Sequence, residues 1–435
     1  ADDAAAFLDQ LKSADTIGPL FAKANSARDV LEVISQWHDS DANSIAFARF
    51  VCHYLYPDAN ANPKPVITDH TGGINIPESG YYLIVDTTYF NLRDFYHAYN
   101  SFLLMVTRDN WNVPITPKAE KPSVKKEVFD NFDNQDGTST GDFGSSADHA
   151  INEKFQFKLT ATLPASTDHA YDYYDTYAVC FKDTLSEGIT YDGPDSVVIK
   201  SNNNTHDTTI NPSKYTIDTK NLENQNYFEV NIHDVKACAK DAGFDLNDGA
   251  TITFTYTAHL NEKAYVNIGS GSTENKNSVQ LQYSNNPRPG DYWGTTPKSE
   301  VYVFTYQLNN TKYHDDDTTG NELAGAGFRL YSGEACNDED EIKLKMNDDD
   351  TYSPYFGADA GDEMFSDEHG QFNVKGLDAG TYYLKETNPP ADYSACADKE
   401  IVISATHDVN HVSLSGNLST TIINKKAGGI TLPST

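Results

Sequence analysis

At 435 residues the chain is too long for a single hydrophobic core, and about 100–200 residues per domain predicts three domains. A formal charge of −32 excludes nucleic acid and anionic membrane as partners, because both would repel it. Aromatic residues make up 12% of the chain, with Tyr and Phe far ahead of Trp, which excludes an acidic disordered tail and favours pleated, half-buried surfaces.

Along the chain, residues 4–11 and 27–37 carry helical spacing, with Val30, Leu31, Ile34 and Trp37 at i, i+1, i+4 and i+7. Asn25 or Ser26 is the N-cap of the second helix, and 44–55 is a third, weaker helix. An apolar strand at 81–85 follows the turn residues Pro77, Glu78, Ser79 and Gly80, so residues 1–120 read as a mixed α+β domain. Pro114, Pro117 and Pro122, interleaved with charges, form an extended joint. Strand patterns then recur at 155–163, 177–181, 227–232, 252–258 and 279–283, with a short helix at 235–242. This is the signature of a β-sandwich over 121–290. A second Pro-rich joint at 286–290 leads to a third β domain over 291–426, with strands at 301–308, 327–331 and 382–385. The acidic runs 315–317 and 348–350 read as solvated loop tips, since neither has the spacing of a calcium loop. No metal site and no cofactor motif is legible. No apolar run approaches the roughly 18–20 residues that span a bilayer. No secretory leader is visible, which implies that any such segment has been removed.

Several short motifs carry a resemblance. Leu432, Pro433, Ser434 and Thr435, after a Gly-Gly spacer, resemble an LPxTG sorting signal cut after its Thr. Residues 111–118, ending in Pro117-Lys118, resemble the pilin motif of Gram-positive major pilins, with Thr116 where that family usually has Tyr. Tyr382, Tyr383, Leu384, Lys385, Glu386 and Thr387 resemble the E-box, and Leu323-Ala324-Gly325-Ala326-Gly327-Phe328 resembles the LAGAxF hallmark of the collagen-adhesin B-type domain. In order along the chain these resemble a major (backbone) pilin of sortase-assembled pili. The fold this implies is mainly β: an α+β N-terminal domain, then two Ig-like β-sandwich domains in a linear array, then a sorting tail at 427–435. The implied function is a structural shaft subunit of a cell-wall-anchored, extracellular pilus of a Gram-positive bacterium. A pilin-specific sortase would join Thr435 of one subunit to Lys118 of the next identical subunit. Accessory pilins are further implied partners, with host surface glycans or matrix protein as candidate ligands.

The family also implies internal Lys–Asn isopeptide bonds. A buried lysine loses its proton more readily and a buried carboxyl keeps its own. The acid can then shuttle protons while the fold holds amine and amide in contact. In the third domain Lys312 shares strand parity with Phe304, Tyr306 and Leu308, Asn424 lies in the last strand, and Glu386 is the E-box acid. In the middle domain alternation selects Lys126 over Lys125 and Asn285 over Asn286. Asp183, before Thr184-Leu185, is the expected acid, with Glu187 as the alternative. Each site reacts once, so the chain is not a turnover enzyme. By resemblance Cys336 and Cys396 form a disulfide, while Cys180 and Cys238 are either a second bridge or two buried thiols, leaving Cys52 unpaired. The alternative functional reading is an accessory or tip pilin, a wall-anchored adhesin. A glycan-cleaving enzyme built on acids such as Asp172 and Asp175 has no specifying motif.

Overall fold

The computed structural model describes residues 2–15, 17–37, 42–55, 80–85, 101–106, 121–131, 141–166, 169–272, 275–285, 293–316 and 319–426. Lys118 and the tail Leu432, Pro433, Ser434 and Thr435 lie outside the described residues, as does the side chain of Cys52.

The N-terminal part is mixed α+β. Helices Asp2–Ser13, Ala27–Ile34 and Ala42–Leu55 enclose a small core of Leu11, Ile17, Phe21, Val30, Ile34 and Phe47. Ser26, one of the two expected caps, is the N-cap, and it forms a reciprocal capping box with Asp29. The helix stops at Ile34, short of Trp37, whose ring instead meets Phe21 and Phe47 edge-on. Strands Gly80–Val85 and Ser101–Val106 pair antiparallel.

The middle part is a two-sheet sandwich. One sheet runs Asp142–Gly144, Ser123–Asp130, Lys154–Leu163, Ala250–Leu260, Ile189–Ser201, Thr208–Thr209. The facing sheet runs Tyr215–Asp218, Tyr227–Ile232, Val179–Leu185, Lys276–Ser284, Ser299–Phe304, Ser146–Asp148. Strict alternation along Ala250–Leu260 turns Ile252, Phe254, Tyr256 and Ala258 into the core. The long strand Ile189–Ser201 is an addition to the expected set. Gly193 and Pro194 break its pattern in the sequence, and the ladder absorbs them with bulges opposite Thr255–Ala258.

The second joint does not mark a domain boundary. Ser299–Phe304, on its far side, returns to pair antiparallel with Lys276–Ser284, so it belongs to the middle sandwich, and Val301 and Val303 pack in that core. The chain passes into the second core at Phe304 and Thr305 rather than at 290, and the strand expected over 301–308 is split there. The C-terminal sandwich then packs Gly327–Tyr331, Gly380–Asn388, Lys399–Asp408 and His411–Gly416 against Val374–Leu377, Tyr306–His314 and Ser419–Asn424. Its first and last strands, Tyr306–His314 and Ser419–Asn424, are parallel neighbours. The run 348–350 is an exposed hairpin tip, where Asp349 binds Lys375 and Thr351.

Candidate functional site

In the C-terminal sandwich, Tyr306, Leu308, Asn310 and Lys312 alternate inward, which carries the Lys312 side chain wholly out of solvent. The parallel register sets Asn424 opposite His314, two residues beyond Lys312 on the same face. Glu386 reaches the same point from Gly380–Asn388. Lys312 Nζ donates to Asn424 Oδ1 and lies 3.3 Å from Glu386 Oε1, and Asn424 Nδ2 donates to that same oxygen at 2.7 Å. The Cys396 backbone N–H holds the other carboxylate oxygen at 2.7 Å. Phe328, the last residue of the Leu323–Phe328 motif, puts its ring 5.3 Å from the amine and stacks on Phe372. Burial among these groups lowers the proton affinity of the Lys312 amine.

In the middle sandwich Lys126 and Asp183 form a fully buried contact between the two sheets. Burial pulls the Lys126 amine down to about 8 and pushes the Asp183 carboxyl above its usual range. Tyr256 Oη joins them, accepting from Lys126 Nζ at 3.2 Å and donating to Asp183 Oδ1 at 3.3 Å. The amide that meets this group is Asn277, whose Nδ2 hydrogen-bonds Tyr256 Oη. Asn277 is completely buried, and its Oδ1 has no hydrogen-bond partner among the described residues.

The structure does not bring Asn285 to this group. Asp183 pairs with Val279, whereas Tyr283 already pairs with Val179, so Asn285 lies well along the strand from Lys126. Asn277 and Asn285 share the parity of Val279, Leu281 and Tyr283 and are both buried, and alternation fixes the face but not the height. Tyr256 and Asn277 are the residues that sequence reasoning missed. The same parity would have admitted Asn277. The alternative acid Glu187 sits beyond the strand Val179–Leu185, and Asp183 is the carboxylate in contact.

Among the described residues the expected Cys336–Cys396 disulfide is not formed, and Cys180 and Cys238 take the second of their two readings, as buried thiols. Cys180, Cys238, Cys336 and Cys396 are all free thiols. Cys396 faces the Lys312–Glu386 group, and burial pushes its thiol up to about 11. Cys336 Sγ instead lies 3.7 Å from Glu334 O and 3.7 Å from Asp398 Oδ2, so the two sulfurs are turned to different neighbours. Cys180 Sγ approaches Glu229, while Cys238 packs from the helix Val235–Asp241 into the middle core.

The C-terminal group holds an amine against a carboxamide and a carboxyl in a dry site, and in the middle group Tyr256 Oη bridges the amine and the amide beside the carboxyl. A neutral amine can attack the amide carbon there, while the acid takes the amine's proton and returns it to the departing nitrogen. In the C-terminal group one oxygen, Glu386 Oε1, touches both nitrogens.

Comparison with curated proteins gives no match. Among solved structures, the 35 kDa C-terminal fragment of the major pilin GBS80 of Streptococcus agalactiae is 22% identical, with a TM-score of 0.48 over 71% of this chain and 100% of that one. The T6 backbone pilin of Streptococcus pyogenes serotype M6 is 18% identical, with a TM-score of 0.48 over 83% and 84%. The full-length major pilin SpaD of Corynebacterium diphtheriae is 19% identical, with a TM-score of 0.47 over 81% and 77%. The stretch 309–417, which contains Lys312 and Glu386, matches the family model described as the SpaA prealbumin-like fold domain.

Proposed function

We propose that the chain is the shaft subunit of a covalent, cell-wall-anchored pilus, polymerised by a pilin sortase and stiffened by two intramolecular isopeptide bonds. The observation that carries this reading is the buried Lys312–Glu386–Asn424 group, which joins the first and last strands of the C-terminal sandwich. In that bond Lys312 Nζ replaces the amide nitrogen of Asn424, which leaves as ammonia. Lys126 and Asn277 form the second bond, with Asp183 as the acid and Tyr256 as the hydroxyl that holds amine and amide together. Asn277 replaces Asn285 in this assignment because it is the amide hydrogen-bonded into the group. A shaft under tension benefits from load-bearing covalent links.

Polymerisation would join Thr435, in the Leu432-Pro433-Ser434-Thr435 signal, to Lys118 of the next identical subunit. The partners are then the sortase, further copies of this chain and accessory pilins. The subunit reacts once at each site and turns over nothing. The test is the intact mass of the purified chain. Each bond removes one ammonia, about 17 Da, as the leaving group of this acyl transfer. A deficit of two ammonias, with mapped peptides joining Lys126 to Asn277 and Lys312 to Asn424, supports the reading. A mass equal to the plain sequence removes it.

A further inference from the structure

Given the Lys126–Asn277 bond proposed above, we infer that Tyr256 is a catalytic residue of that cross-link, whose hydroxyl carries the proton from the attacking nitrogen of Lys126 to the departing nitrogen of Asn277.

Such a bond needs a group in reach of both nitrogens, because the attacking amine must lose a proton and the leaving nitrogen must gain one. In the C-terminal site Glu386 Oε1 meets both. In the middle site the carboxyl is placed differently. Asp183 Oδ2 meets Lys126 Nζ and Asp183 Oδ1 meets Tyr256 Oη, while Asn277 Nδ2 hydrogen-bonds Tyr256 Oη. Tyr256 Oη also lies 3.2 Å from Lys126 Nζ. The oxygen that touches both nitrogens is therefore the phenol, in the place that a carboxylate oxygen takes in the C-terminal sandwich.

A hydroxyl has one hydrogen to give and two lone pairs to receive. Tyr256 uses all three, donating to Asp183 Oδ1 at 3.3 Å and accepting from Lys126 Nζ and Asn277 Nδ2. With its hydrogen committed to the carboxyl, it turns a lone pair to the amide, which selects the amide nitrogen to face it. The ring does not need these bonds to be held. It projects from Ala250–Leu260 and packs against the rings of Phe157, Tyr191, Phe228 and Phe254. A phenylalanine would fill the same space without the cost of burying a hydroxyl, so the oxygen serves the three groups it joins.

The step balances within these contacts. Asp183 takes the first proton of the Lys126 ammonium, and burial of both groups favours that neutral pair. The freed lone pair on Nζ adds to the side-chain carbon of Asn277, and the carbonyl electron pair moves to Oδ1. Nδ2, no longer conjugated, becomes a basic amine, and the hydroxyl hydrogen swings from Asp183 to it. Tyr256 Oη gives that proton to Nδ2 as it takes one from Nζ. The pair on Oδ1 then restores the carbonyl, the bond from carbon to Nδ2 breaks, and ammonia leaves. The phenol ends as it began. Burial pushes the Tyr256 hydroxyl well above its ordinary range, so it gives one proton only as it takes another.

The test uses the full chain made by cell-free synthesis and quenched in denaturant at intervals, with the peptides joining Lys126 to Asn277 and Lys312 to Asn424 counted by mass. Tyr256→Phe is expected to slow the middle link at least about 100-fold, the lower end of general acid–base catalysis, and to leave the C-terminal link at its wild-type rate. 3-Fluorotyrosine placed at position 256 keeps the ring and the hydroxyl and changes the acidity of the phenol. It is expected to shift the rate of the middle link several-fold, which a hydroxyl that only positions its neighbours would not do. If the phenylalanine variant forms neither link, its fold has failed and the fluorinated chain decides alone. A wild-type rate in Tyr256→Phe, or an unchanged rate in the fluorinated chain, overturns the relay and leaves the cross-link standing. A wild-type chain without the Lys126–Asn277 peptide overturns both.

Discussion

Glu386 Oε1 stands 2.7 Å from the nitrogen that would leave Asn424 and 3.3 Å from the attacking amine, so the proton has one short route between them. Glu386→Gln keeps the shape and removes the base. It is expected to raise the intact mass by about 16 Da, because one ammonia of about 17 Da is kept while the carboxyl-to-amide change itself removes about 1 Da. Asp183→Asn should do the same independently in the middle sandwich, and the double variant should gain both increments. Asn277→Ala and Asn285→Ala separate the two candidate amides. Only the former is expected to abolish the middle link, read by loss of the Lys126-containing cross-linked peptide. Loss of either link should lower stability by several kcal/mol, by analogy with the ~4–5 kcal/mol of a ~100-residue disulfide loop. Part of the site was legible in the sequence: strand parity placed Lys126 and Lys312 on the core side, whereas Asp183, Glu386 and Asn424 came from the resemblance. Height along the strand was not legible. Asn277 and Asn285 share a face, and only the pairing of Val279 with Asp183 and Tyr283 with Val179 shows which one meets the lysine. Tyr256 read as one more aromatic in an alternating strand, and nothing local marks its hydroxyl as the bridge.

Individual elements follow local chemistry where neighbours in sequence decide them. Ser26 caps Ala27–Ile34 by accepting from the Asp29 N–H at 3.3 Å, and Asp29 returns a bond to the Ser26 N–H at 3.1 Å. Ser26→Ala should cost roughly 1 kcal/mol of stability in the helical part, read from the loss of helical signal on heating. Phe328 is a different kind of element-level residue. Its ring stacks on Phe372 across the two sheets of the sandwich and walls the Lys312 amine. Phe328→Ala is expected to destabilise the unlinked domain by about 3–5 kcal/mol and to slow bond formation by admitting water to the amine. Time-resolved mass after refolding measures that delay. Where distant pairing decides, the sequence misleads. The Pro-rich stretch 286–290 has the composition of a linker, yet Ser299–Phe304 beyond it completes the sheet before it. Composition reports that a segment leaves a strand, not where the chain goes next.

At the scale of the molecule, the two sandwiches are joined by charge as well as by chain. His407 of the C-terminal sandwich places Nε2 3.2 Å from Asp130 and 3.4 Å from Asp148 of the middle one, and its Nδ1 lies 2.9 Å from Ser146 Oγ, with the Phe304 ring stacked alongside. Although burial opposes the imidazolium, the two carboxylates raise its pKa to about 9. Because the folded value lies above the unfolded ~6.5, this contribution is complete below about pH 6.5 and is lost as pH rises through about 9. The melting temperature should therefore fall more steeply between pH 7 and 10 in the wild type than in His407→Gln, and equal slopes would remove the latch.

Tension makes the last and most specific demand on this arrangement. With Lys126 bonded to Asn277, load entering the middle sandwich at Ser123–Asp130 crosses directly to Asn277 and leaves at Phe304. The chain from 278 to 304 lies outside the protection of that bond. Asn277 pairs with Val301 in an antiparallel ladder, so the pull acts on the open ends of two paired strands and breaks their hydrogen bonds one at a time. What resists is the parallel pairing of Ser299–Phe304 with Ser146–Asp148, together with the seam behind it. In the C-terminal sandwich the first and last strands run parallel, so tension shears them, and the proposed Lys312–Asn424 bond would carry the load from one to the other. Single-molecule pulling should then show one recoverable extension per subunit, at most roughly 90 Å at about 3.4 Å per residue, before any covalent limit. A link to Asn285 would shorten that step to roughly 65 Å on the same arithmetic, and an unlinked middle sandwich would give an extension several times longer. The length of the step therefore reports which amide carries the load.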